Sequence, residues 1–75
     1  MKLSDLQSKD IVDITDGKKI GNIIDVEIDI NGNMKTLIIQ KNKFFNMFST
    51  KNVFEIKWNQ IRKIGKDVIL VNMTL

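Results

Sequence analysis

Cysteine, histidine and proline are all missing from this chain, arginine occurs once, and glycine only four times. Without cysteine there is no disulfide, and without cysteine or histidine there is no zinc site of the usual kind. A domain of 75 residues that lacks these supports buries a small share of its surface and has a thin stability margin, which favours association with another copy. The same absences remove the imidazole base and the thiolate nucleophile. The only serines are Ser4, Ser8 and Ser49, and none lies near a base, so hydrolase or transferase chemistry is not expected and the chain reads as a non-enzyme. No apolar run approaches the length of a membrane span, which argues against integral membrane association, and the opening MKLSDLQSKD lacks the apolar core of a signal peptide. The expected location is the cytoplasm. Repeats, low-complexity tracts and linkers are also missing, and residues 1–75 read as one domain.

Isoleucine, lysine and asparagine supply 13, 11 and 8 residues, a bias typical of an AT-rich coding sequence. That bias dilutes the meaning of each lysine. The distribution of charge says more: residues 1–30 hold seven acidic side chains and four lysines (net −3), and residues 31–75 hold eight basic and two acidic ones (net +6). Opposite signs in the two halves favour polarised surfaces and contacts between copies.

The hydrophobic pattern is that of strands and turns. Ser4 and Gln7 have the spacing of a capped helical turn, which leads into an apolar DIVDI strand. TDGKK then makes a turn in which Gly17 takes a positive φ. In KIGNIIDVEIDI, Ile20, Ile24, Val26, Ile28 and Ile30 occupy even positions, which predicts one core face, with Asp25, Glu27 and Asp29 on the wet face. Asn31-Gly32 marks a hairpin. A two-residue loop sets Val26 against Leu37 and Ile24 against Ile39. It is preferred over a three-residue turn with a glycine bulge, which would turn Met34 and Ile38 inward. Downstream, NVFEIKW places Phe54, Ile56 and Trp58 on one face, which predicts a buried tryptophan. A corner and short strand at NQIRKIG and a closing strand, DVILV, apolar on both faces, complete the pattern.

These segments predict an all-β fold, a small barrel of five to six short, mostly antiparallel strands, because closure removes exposed edges. Leu3-Ser4-Asp5-Leu6, Ile20-Gly21, Asp25-Val26-Glu27-Ile28-Asp29, and Trp58 with Ile61, Ile64, Gly65 and Ile69-Leu70-Val71 follow one another in this order. In that arrangement the whole chain resembles PRC-barrel domain proteins, in particular the short stand-alone YlmC/YmxH-type group of spore-forming bacteria. The resemblance implies the PRC-type β-barrel, an association with sporulation, and use as a protein-docking module rather than as an enzyme.

Three residue groups are candidates for function. Asp25, Glu27 and Asp29 form a row about 7 Å apart on a strand, too separated to converge on a hard cation, and read as a solvated face with no metal or cofactor. KFFNMF fits neither strand nor helix periodicity. Phe44, Phe45, Met47 and Phe48, rimmed by Lys43 and Lys51, form a candidate loop for a protein partner, although one or two of them are equally suited to plugging a barrel end. Val68, Leu70, Met73 and Leu75 supply more apolar surface than one small barrel hides and are candidates for self-association as a homodimer. The alternative reading takes the lysines and phenylalanines of the basic half as a platform for RNA or single-stranded nucleic acid.

Overall fold

The computed structural model describes residues 1–41 and 52–74. A helical turn, α1 (Leu3–Gln7), precedes six strands: β1 (Asp10–Asp13), β2 (Lys19–Ile28), β3 (Met34–Lys41), β4 (Val53–Lys57), β5 (Ile61–Ile64) and β6 (Val68–Val71). A 3-10 turn, Trp58–Gln60, connects β4 to β5. The N–H of Lys2 donates to the Asp5 carboxylate at 2.8 Å, so the cap of α1 is Lys2, two residues before the expected Ser4, and Leu6 tucks into the core at 1% exposure.

The six strands form one sheet in the order β4-β3-β2-β1-β6-β5, all neighbours antiparallel except β1 and β6, which run parallel. The all-β class and the strand count agree with the sequence pattern; hydrogen-bonded closure into a barrel does not. Strands β4 and β5 are the two edges of the sheet and are not paired with each other. The connection between them explains this. Gln60 Oε1 accepts the N–H of Lys57 at 2.8 Å, while the Gln60 carbonyl accepts the Asn72 N–H at 2.8 Å and its side-chain amide donates to the Asn72 carbonyl at 3.2 Å. The turn is thereby fastened to the end of β6, and β5 is delivered to β6 instead of folding back on β4. Because only three residues join the two edges, the sheet curls around a single core.

That core consists of Leu6, Ile11, Ile20, Ile23, Leu37, Ile39, Ile56, Ile69 and Val71, each at most 3% exposed. The expected even-numbered face of β2 holds only in part. Ile20 is buried and Val26 packs against the core, but Ile24, Ile28 and Ile30 are 47%, 62% and 100% exposed. Two irregularities in the ladder are the cause. Ile23 pairs with Ile39 and Asp25 with Ile38, so Ile24 is an extra residue that shifts the phase of β2; a second shift between Glu27 and Ile28 leaves Lys35 of β3 unmatched.

The hairpin combines features of both expected registers. Val26 does face Leu37, as the two-residue loop requires. The turn itself is longer: Gly32 N–H donates to the Asp29 carbonyl at 3.0 Å and Asp29 N–H to the Asn33 carbonyl at 2.9 Å, with Gly32 at φ 87°. The second ladder shift restores the preferred inward set, Leu37 and Ile39.

Candidate functional site

Register separates the two faces of the β2–β3–β4 half. Inward rows are Val26–Leu37–Ile56 and Ile23–Ile39–Phe54; outward rows are Glu27–Thr36–Lys57, Asp25–Ile38–Glu55 and Asn22–Gln40–Val53, with Thr36 itself covered to 3% exposure. The outer face is not purely polar. Val53 is 41% exposed, Ile38 is half-buried, and the bulged Ile24 on the neighbouring β2 is 47% exposed. Flanking these aliphatic groups are the carboxylates of Asp25, Glu27 and Glu55.

A second surface lies at the hairpin end. Ile28 is paired with Met34 across the strands, and Met34 lines a cleft of about 420 Å³ with Lys35, Lys57, Trp58 and Asn59. Trp58, expected in the core, is 39% exposed. It follows Lys57 into the 3-10 turn, so strand alternation no longer governs its direction. An adjoining cleft of about 510 Å³ is lined by Lys57, Asn59, Gln60 and Arg62. No carboxylate lines either cleft, and among the described residues Lys57 and Arg62 form no ion pair.

The tip beside these clefts is tightly held. Asp29 Oδ1 accepts the N–H groups of Asn31 and Asn33, both at 2.9 Å, and Oδ2 accepts the Asn33 amide at 3.3 Å and pairs with Lys35 at 3.5 Å. These donors, led by the Asn33 N–H, hold the Asp29 carboxyl below the ordinary aspartate range. Asp10 is likewise lowered, first by the Lys19 ammonium at 3.0 Å and then by the Asn22 amide at 3.2 Å. A carboxyl whose pKa is depressed in the folded state adds stability above its unfolded value, near about 3.9, and loses it as pH falls through the folded value. The urea midpoint is therefore expected to drop between pH 5 and pH 3, and to drop less in Asp29→Asn; equal drops would mean that the turn carboxylate contributes nothing.

The row Asp25, Glu27 and Asp29 is split by this geometry: the first two point to solvent, whereas Asp29 belongs to the turn. Among the described residues no group of acidic side chains converges as a metal site. The expected partner loop, Lys43, Phe44, Phe45, Met47, Phe48 and Lys51, lies outside the described residues, as does Leu75. Of the expected self-association residues, Val68 and Leu70 are half-buried in a strand paired on both sides, and Met73 packs against the core. The residues missed from sequence are Ile24, Ile28, Ile30, Val53 and Trp58. Only Ile30 carried a usable signal, since it directly precedes Asn31-Gly32 and the longer turn exposes it.

A curled six-stranded sheet of this size, with a helical turn under one end and a 3-10 corner before the last two strands, is the frame of one class of small β domain. The model of the PRC-barrel domain matches residues 1–74, and the chain belongs to this family. It is 37% identical to the Bacillus subtilis protein named "Probable sporulation protein YlmC", over 99% of this chain and 94% of that one. It is 32% identical to the uncharacterised YmxH of the same organism, over 97% of this chain and 89% of the other. An uncharacterised Clostridium acetobutylicum protein is 41% identical over 89% of this chain and 78% of its own length. Among the described residues no helix is long and apolar enough to cross a membrane.

Proposed function

We propose that this PRC-barrel chain is a non-catalytic docking module that binds a protein partner on the outer face of β2, β3 and β4, in a cytoplasmic process linked to sporulation. The observation that carries the reading is the aliphatic group Ile24, Ile38 and Val53 on a sheet face where alternation alone would leave polar side chains. The lack of histidine and cysteine supports the absence of turnover. The link to sporulation rests on the name carried by YlmC.

The competing reading, RNA or single-stranded nucleic acid, draws on the net charge of +3. It is disfavoured on this face by Asp25, Glu27 and Glu55, which repel a phosphate backbone. A photo-crosslinking residue at Ile38 in sporulating cells is expected to capture a protein. Ile24→Asp combined with Val53→Asp should abolish capture while changing stability by about 0.5 kcal/mol or less per site. Capture of RNA, with binding that weakens steeply as salt is raised, would replace the protein reading with the nucleic-acid one.

A further inference from the structure

We propose that the cleft beside Trp58 receives the Asp29–Asn33 hairpin tip of a second copy of this chain, in a reciprocal two-fold contact. This goes beyond the docking reading and uses the other end of β3, so either can fail without the other.

The tip has the properties of an insert. Ile30 is fully exposed and Ile28 is 62% exposed, so two aliphatic side chains stand in water at a hairpin end. Asp29 ties the backbone of that end through Asn31, Asn33 and Lys35, so little conformational freedom is left to lose on docking. The cleft has the properties of a receptor: an apolar wall from Met34 and Trp58, and cations at Lys57 and, continuing it, Arg62, with Lys35 already paired to Asp29 of its own tip.

Charge selects the occupant. Asp25 and Glu27, on the strand that leads to the tip, are exposed, as are Lys57 and Arg62 at the cleft. A free acidic peptide or a phosphate would satisfy the cations and leave Ile28 and Ile30 uncovered. A second copy supplies the aliphatic insert and the carboxylates together, and its own cleft covers the first tip. Adjacency makes this reciprocal: Ile28 and Met34 are cross-strand partners, so insert and receptor adjoin on one chain, and an axis between them closes both contacts at once.

The test is sedimentation of the full chain through the micromolar range, with emission from Trp58, the single tryptophan, as a local probe. Wild type is expected to dimerise, with Trp58 emission shifting to the blue as concentration rises. Ile30→Asp, at a fully exposed turn position, should keep its melting temperature and dimerise at least about tenfold more weakly. Glu27→Lys and Lys57→Glu should each be largely monomeric alone and form a heterodimer when mixed, because mixing restores both opposite-charge contacts. A wild type that stays monomeric, an Ile30→Asp protein that dimerises normally, or a mixture that remains monomeric would each overturn the proposal. So would a monomer whose Trp58 emission responds instead to a polyglutamate peptide or an oligonucleotide.

Discussion

Gly21→Ala is expected to remove most of this domain's stability, the greatest effect available from a single added methyl group. A Cβ at this position would run into the carbonyl oxygen of Gln40 and stand 2.9 Å from its carbon and 3.0 Å from the Ile39 methyl Cγ2. The nearest obstacle is backbone, which cannot swing aside as a side-chain end does. Relief requires β2 and β3 to separate where Gly21 pairs with Lys41, next to the buried pair Ile23–Ile39. Overpacking against yielding side chains costs about 1–3 kcal/mol, and this contact belongs at or above the upper end. Small domains have roughly 5–15 kcal/mol in total, and this one lacks disulfides and sits near the lower limit. Urea denaturation followed by circular dichroism measures the loss, and a change below about 1 kcal/mol would show that the strands part easily there. Gly32→Ala is the control. It meets no atom within 4 Å and bears only the cost of positive φ, about 1–2 kcal/mol.

Leu37→Ala is expected to cost about 2–5 kcal/mol, the usual range for a buried leucine whose surroundings relax only partly. Leu37 has no exposed surface and is the middle of the inward row between Val26 and Ile56, with strands on both sides to hold the cavity open. Trp58→Ala, by contrast, should cost about 1 kcal/mol or less, because the side chain is more than one-third exposed and lies at the cleft instead of the core. Side-by-side thermal melts decide the order. If Trp58→Ala proved the more damaging of the two, the indole would be packed far more fully than its exposure indicates.

That ordering reverses what alternation alone suggests, and the reversal shows what the amino-acid pattern encodes. Periodicity placed the strands, the Gly17 turn and the hairpin well, because those depend on neighbours within a few residues. It misplaced Ile24 because a bulge between the inward Ile23 and the inward Val26 adds a residue without any special residue type, and Ile28 because it lies past the second ladder shift, at the hairpin end beyond the core. It misplaced Trp58 because the departure from β4 into a 3-10 turn is fixed by Gln60 reaching Asn72, a contact between segments far apart in the chain. The open sheet has the same origin. An alternating β5 looks the same whether it pairs with β4 or with β6, and only the long-range bond tells them apart. Both candidate surfaces were therefore nearly invisible in advance: alternation assigns Ile28, Ile30 and Trp58 of the hairpin end to the interior, and it puts Ile38 and Val53 outward without showing that the bulged Ile24 leaves the core as well.

The parallel pairing of β1 with β6 also sets an order of events. Asp10 through Asp13 align with Val68 through Val71, and the Ile14 N–H reaches the Val71 carbonyl at 2.9 Å. Strand β1 therefore has one of its two neighbours at the opposite end of the chain. During synthesis the β2–β3 hairpin can form early from local contacts, but the core stays open on its β1 side until β6 has left the ribosome. Contacts of such wide sequence separation slow folding, because loop entropy is lost before the contact repays it. The nascent chain thus waits, with Ile11 uncovered, for β6 to bring Ile69 against it.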